Sequence, residues 1–321
     1  MRQNSVTLRS CGTQNNTGRK TMNTIDCIKT VLRDDQIYPG EPMSRHTTFR
    51  TGGPAECLVT PGREQMSGLI RCLNRNQIPY TVIGNGSNLL VGDGGIDGVV
   101  IEIGREMAGI TIRGREMHVE AGALMSAAAM RALEAGLSGF ECESGIPGSI
   151  GGAVVMNAGA YGGEMKDVLR RVEVLTREGD RIEMDAAELD LSYRHSNIPE
   201  RNLIVLSAVL ALTPADPAQI RARMDELKEQ RISKQPLEYP SAGSTFKRPE
   251  GYFAGKLIQD AGLRGYTLGG AQVSEKHCGF VINRGDATSA QIRQLIRDVQ
   301  QSVKQKFGVT LETEVRFLGK F

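Results

Sequence analysis

The chain has 321 residues, 40% of them hydrophobic and 24% charged, with 39 basic side chains against 37 acidic ones and a formal charge of +2. That is enough apolar material for two packed cores, and the charge balance gives no reason to expect a nucleic-acid or membrane partner. Six scattered cysteines without a CxxC, and four histidines without ligand spacing, argue against a metal site and against a disulfide framework, so free thiols are expected; no run is apolar for the length of a membrane span.

Residues 1–22 are polar, basic and without periodicity, which predicts a disordered or extended start, with Met22 a candidate initiator. Apolar residues at Ile28, Val31 and Leu32 then fall at helical spacing within 26–34, and Gly40 to Pro42 closes that segment. SRHTTFRTGG follows, with Arg45, His46 and Arg50 standing before a glycine turn. Arginines in such a position are as readily solvated as functional. A strand at 56–60, an amphipathic helix at 63–76 and a strand at 80–83 read as one βαβ unit. Directly after the second strand comes GNGSNLLVGDGGIDG. A dinucleotide fingerprint would need a third glycine where Leu89 stands and a helix where a second glycine-rich segment follows, so that reading fails on context. The backbone N–H groups of Gly84, Asn85, Gly86, Ser87 and Asn88 nevertheless form a loop able to hold a diphosphate.

Strands are expected at 99–103 and 110–119 and a helix at 121–135, delivering the chain to GFECESGIPGSIGGAVVMNAGAYGG at 139–163. Seven glycines fall between Gly145 and Gly163. Glycine reaches positive φ and lets a bulky ligand lie against main-chain amides, so the run suggests backbone wrapped around something flat and anionic. A linker would be polar, whereas Ile146, Ile150, Ala153, Val154, Val155 and Met156 call for burial. Beyond it a hairpin turning at Glu178-Gly179-Asp180, the tripeptide SYR and a strand at 202–214 lead to Pro214 and Pro217. A helix at 218–234 buries Ile220, Met224 and Leu227 and gives its charges to solvent, and a second α+β region with a helix at 289–307 completes the chain. A first domain over 23–213 and a second over 214–321 are therefore expected.

Several separated stretches resemble one family, the bacterial UDP-N-acetylenolpyruvoylglucosamine reductases. They are TTFRTGGPAE, IGNGSNLLV, ESGIPGSIGGAVVMNAGAYGGE, SYR, AGSTFKRP with AGKLIQDAGLRG, SEKHCGFVIN and TLETEVRFLG, which together run from Thr48 to Gly319. Each is weak alone, and the order makes them specific. The resemblance implies an α+β chain: a vanillyl-alcohol-oxidase-type (PCMH) FAD-binding domain followed by a smaller α+β substrate-binding domain. It also implies FAD as cofactor, NADPH as reductant, a UDP-sugar enolpyruvyl ether as substrate, and a monomeric cytoplasmic enzyme of peptidoglycan precursor synthesis. The modest stretch between Arg194 and Ser244 fits the family's shorter form (type II). Carried over residue by residue, Ser244 matches the proton donor, Arg194 the active-site arginine and Glu314 the active-site glutamate. Flavin contacts fall on Arg50, Gly84, Asn85, Gly86, Ser87, Asn88, Gly145, Ile146, Pro147, Gly148, Ser149, Gly152, Ala153, Asn157, Gly159, Ala160, Tyr161 and Gly162. Substrate contacts fall on Tyr193, Lys247, Lys256 and Gln272, while Arg248 stands where part of the family has asparagine.

The residue types suit that chemistry. A guanidinium can pair bidentately with a carboxylate and strengthen as charge develops on it, which suits Arg194. Glu314 would help an enolate as a neutral donor, which requires a raised pKa. Ser244 is a poor acid in water, but a carbanion is a strong base, and Lys247 or water could restore its proton. A flavin oxidase or dehydrogenase acting on a sugar or alcohol is the rival reading, since one fold hosts many functions; no histidine lies in the glycine-rich stretch to tether a flavin.

Overall fold

The computed structural model describes residues 24–321, so the expectations for residues 1–22 lie outside the described residues. Helix Arg63–Arg75 forms because Met66, Leu69, Ile70 and Leu73 recur on one face, and all four are completely buried. It covers a four-stranded sheet with spatial order Ile37–Pro39, Ala55–Val59, Ile96–Glu102, Tyr80–Ile83. Strand Ile96–Glu102 runs parallel to both of its neighbours, and its Val99, Val100 and Ile101 are wholly buried, as a central parallel strand requires.

A second, antiparallel sheet has the order Arg181–Asp185, Leu169–Leu175, Ile204–Ala211, Glu116–Glu120, Ile110–Arg113. The single strand expected at 110–119 is a hairpin, because Gly114 adopts φ +61° and reverses the chain. The helix expected from 121 begins at Met125, since the Ala121 and Gly122 amides are already committed to Leu206 O and Met107 O. On strands Ile204–Ala211 and Glu116–Glu120 of this sheet packs the short helix Ile150–Val155, which carries the glycine-rich stretch into the core.

Helix Pro217–Lys234 starts at Asp216, whose carboxylate accepts from the Ala218 amide. Its Ile220 and Met224 belong to the first core although the helix lies beyond residue 214. The second core forms around helix Ser289–Phe307 and takes in Ile292, Leu295, Ile296, Val299 and Val303. Phe49 and Leu90, from the first half of the sequence, also belong to it. The two halves interlock further at Asp93, whose carboxylate accepts from the Ser289 and Ala290 amides at 2.8 Å each. The C-terminal segment pairs twice: Thr313 bridges antiparallel to Phe246, and strand Arg316–Leu318 lies parallel to Leu89–Val91.

One expectation is overturned. Cys27 and Cys72 form a disulfide, their Cα atoms 6.3 Å apart, because helix Thr24–Lys29 packs on Arg63–Arg75. Cysteines 45 positions apart carry no spacing signal for such a contact. Among the described residues Cys57, Cys142 and Cys278 are free.

Candidate active site

The two glycine-rich loops meet. The Asn85 side chain donates to the Pro147 carbonyl at 2.6 Å, and a Cβ on Gly84 would collide with Ser149 Oγ. Gly86, at φ +61°, leaves no room for a side chain against the His46 carbonyl. Together the loops floor a cavity of about 710 Å³, within the usual range for small-molecule sites. Gly84, Asn85, Gly86, Ser87, Asn88, Ile146, Pro147, Gly148, Ser149, Gly152, Ala153, Gly159, Ala160 and Tyr161 all line it. The backbone N–H groups of 84–88 donate to no other described residue, which leaves a donor set facing the cavity. An apolar side with Ile103, Val155, Ile198, Leu203 and Val205 faces the same space. A flat ring with an anionic tail fits these surfaces.

Three separate segments deliver the chemistry-bearing side chains to the same cavity. Arg194 donates from Nε to Glu314 Oε1 at 2.7 Å and from Nη2 to the Gly159 carbonyl at 3.0 Å. Both side chains of the pair are largely buried, at 20% and 14% exposure. Ser244 follows Gly243, which has φ +72°, and opens onto the cavity. The backbone beyond it is fixed on two sides: the Thr245 amide donates to Gly279 O at 2.8 Å, and the Glu314 amide donates to Thr245 O at 2.9 Å. Asn88 ties this wall to the floor by donating to the Glu314 carbonyl at 3.0 Å.

Two residues of the lining are held in a strained backbone conformation: Tyr161 and Arg194 are among the seven non-glycine residues of the described chain with positive φ. Non-glycine residues held in that region cost free energy and cluster at functional sites.

Other residues singled out from sequence do not line the cavity. Asn157 is fully buried and is a brace: it donates to Glu164 and to Ser192 O and accepts from the Lys166 amide. Gly145, Gly162 and Arg50 are exposed and outside the lining. Tyr193, 49% exposed, flanks Arg194 and accepts from the Arg248 amide. Lys247 is paired with Glu312 and Lys256 with Asp260, while Gln272 donates to Thr267 and accepts from Arg284.

The sequence reading missed Arg231 and Lys234, which line the cavity although their helix was read as turning its charges to solvent. It also missed His277, a lining residue. Burial holds the His277 imidazole below its usual pKa, and Nδ1 accepts from the Gly279 amide, leaving a neutral ring with its proton on Nε2. Glu143, 2% exposed beneath the glycine loop, has its carboxyl pushed up to about 7 by burial. Nothing in residue type or spacing distinguished these four.

Comparison with known proteins decides the family. The model of the UDP-N-acetylenolpyruvoylglucosamine reductase C-terminal domain matches residues 235–318, and that of an FAD binding domain matches 55–185. A UDP-N-acetylenolpyruvoylglucosamine reductase of Agathobacter rectalis is 57% identical over 297 residues, covering 89% of this chain and 95% of its own. The chain belongs to the UDP-N-acetylenolpyruvoylglucosamine reductase family. A Clostridioides difficile member is 49% identical over 291 residues, covering 90% of this chain and 96% of its own. The crystal structure of the family's Thermus caldophilus member superposes with a TM-score of 0.76 at 37% identity, covering 87% of this chain and 97% of that one. The architecture is thus a PCMH-type FAD-binding domain followed by the family's C-terminal domain.

Proposed function

We propose that this protein reduces the enolpyruvyl ether of UDP-N-acetylglucosamine to UDP-N-acetylmuramate, a step of peptidoglycan precursor synthesis, using FAD and NADPH. One observation carries the reading: a glycine-floored cavity with free backbone donors also holds the Arg194–Glu314 pair and Ser244. Its lining bears four cationic side chains, Arg194, Arg231, Lys234 and Arg316, against the single carboxylate of Glu314. Such a lining suits ligands rich in phosphate and carboxylate.

FAD, when bound, supplies hydride transfer from NADPH to the terminal carbon of the substrate's alkene. The chain's own residues manage the charge that results. Arg194 has its Nε and Nη2 engaged, leaving Nη1 to meet the substrate carboxylate, where negative charge develops next to the reacting carbon. Glu314 accepts from Arg194 Nε at 2.7 Å and so aims the guanidinium at the substrate. Ser244 gives its Oγ proton to the carbanion. Lys247, held by Glu312 outside the cavity, is poorly placed to restore that proton, which leaves water as its source.

The test is anaerobic. Purified protein should be yellow, release FAD on acid precipitation, bleach with NADPH and recolour when the enolpyruvyl substrate is added. Bleaching by a sugar or alcohol and recolouring with oxygen, but not with the enolpyruvyl substrate, would favour the oxidase reading, and protein that neither holds nor takes up FAD would end both.

A further inference from the structure

Behind the first glycine loop, outside the cavity lining, three titratable side chains meet that the proposed reaction does not use. His46 Nδ1 lies 3.1 Å from Glu102 Oε1 and 3.2 Å from Glu102 Oε2, and its Nε2 lies 3.2 Å from Glu41 Oε1. All three side chains are largely buried. Ionised carboxylates only accept, so a ring with each nitrogen against a different carboxylate has to donate from both, and the geometry calls for the imidazolium. The hydrogen bond to Glu102, helped by the charges of Glu102 and Glu41, accordingly holds the imidazole above its usual pKa against the opposing effect of burial. Arg45 donates to Glu41 Oε1 at 3.5 Å from the exposed side, and no other cation among the described residues pairs with either carboxylate.

This clasp closes on the two segments that hold the loop. Glu102 ends strand Ile96–Glu102 opposite Ile83, the residue before Gly84, and the Ile103 amide donates to Ile83 O at 2.9 Å. On the other side Gly86 passes the His46 carbonyl so closely that a Cβ there would stand 1.9 Å from that oxygen, and the Thr48 amide donates to Gly86 O at 3.3 Å. Glu41 is itself anchored, its carbonyl accepting from the Ala55 amide of the neighbouring strand at 2.8 Å. One imidazolium thus ties the strand end that launches the loop to the turn on which the middle of the loop rests. We propose that His46 is a positioning residue for the first glycine loop, and that the loop's grip on the dinucleotide cofactor weakens when this imidazolium loses its proton. The inference rests on the reading of the cavity as an FAD site. Because the folded protein favours the charged ring, the clasp is intact below the ordinary imidazole pKa and is lost as pH rises through the raised one. A neutral ring donates to one carboxylate only and leaves the other short of a donor.

The experiment follows flavin release from the holoprotein, read as the rise in flavin fluorescence after dilution, between about pH 6 and pH 9.5 in the wild type, His46→Gln and Glu102→Gln. In the wild type, release should quicken by about 10-fold across the titration of His46, the worth of one charge-assisted hydrogen bond. His46→Gln should release flavin at the fast rate at every pH. Glu102→Gln keeps an acceptor for Nδ1 but removes its charge, so the step should remain while its midpoint falls by about one pH unit or more, a shift that a merely structural contact would not produce. Nitrogen-15 NMR of the wild type should show both His46 ring nitrogens protonated at about pH 7, which tests the clasp without relying on the folding of any variant. A neutral His46 ring at about pH 6, a pH step that persists in His46→Gln, or a wild-type release rate that is flat with pH would overturn the proposal. Wild-type protein that binds no FAD would instead sink the flavin reading, and the grip on the cofactor with it, while protonated ring nitrogens would still uphold the clasp as a brace of the loop.

Discussion

The floor of the cavity and its catalytic wall are built in opposite ways. The floor is backbone: Gly84, Gly86, Gly148 and Gly152 present main chain to the cavity, and close contacts with Ser149 and His46 leave no room for a Cβ on the first two. Its shape is set within short stretches of sequence. The wall is side chain: Arg194, Ser244 and Glu314 come from segments up to 120 residues apart and meet only through tertiary contacts. Under the proposed function the floor holds the flat, anionic cofactor and the wall carries the reaction, so substitutions in the two regions should fail differently.

Ser244→Ala should show that contrast at its largest. The floor is untouched, so FAD should stay bound and bleach with NADPH at nearly the normal rate. Reoxidation by the enolpyruvyl substrate should slow by about 10²- to 10⁴-fold, the usual worth of a general acid. Ser244→Cys should regain part of it, since a thiol is the stronger acid. Stopped-flow on each half-reaction reads both numbers, and normal reoxidation in the alanine variant would remove Ser244 from the mechanism.

Arg194→Met should follow, losing about 3 kcal/mol of transition-state stabilisation in kcat/KM, as for one preorganised charged contact. Because Glu314 orients Arg194, Glu314→Gln, which keeps an acceptor for Nε, should be milder than Glu314→Ala. Equal losses in the two glutamate variants would contradict the orienting role.

How much of this was legible in the sequence follows the same division. Glycine is a backbone statement, so both loops could be read as ligand cradles from composition alone. The wall could not be: nothing about a serine, an arginine and a glutamate far apart in sequence says that they meet, and only the resemblance named them. Helix 217–234 shows the limit most clearly. Its charges were assigned to solvent by helical periodicity, which cannot register that the C-terminal turn overhangs a cavity formed by other segments. The hairpin at 110–120 and the Cys27–Cys72 bond were hidden for the same reason, one by a single turn glycine within a strand-like run and the other by helix packing.

Glu143 sharpens the comparison from beneath the floor. Its Oε2 is buried without a partner, and Glu141 and Asp167 add negative charge nearby. With the folded-state pKa raised to about 7 from an ordinary 4.5, the neutral form is favoured by folding. Stability should then be greatest below the ordinary carboxyl pKa and fall as pH rises through about 7, by on the order of 2 kcal/mol between about pH 5 and pH 8. Glu143→Gln should flatten that decline in urea titrations. An equally steep decline in the glutamine variant would place its cause elsewhere.

The smallest effect should come where floor and wall are joined. Asn88 is a floor residue by position, lining the cavity within the first glycine loop, but its side chain serves the wall by donating to the Glu314 carbonyl at 3.0 Å. The next residue but one along the C-terminal segment continues the join, with the Arg316 amide donating to Asn88 O at 3.0 Å. Asn88→Ala removes the first bond and keeps the second, so the segment should stay attached while Glu314 loses its anchor. The expected cost is about 1 kcal/mol, the net worth of one hydrogen bond, and it should appear as a several-fold fall in the substrate half-reaction with FAD affinity nearly unchanged. In an Arg194→Met background the same substitution should cost much less, because Glu314 then has no guanidinium to aim; residues in one network are not additive. Full additivity, or a loss confined to FAD binding, would mean that Asn88 belongs to the floor alone and that the two regions are independent.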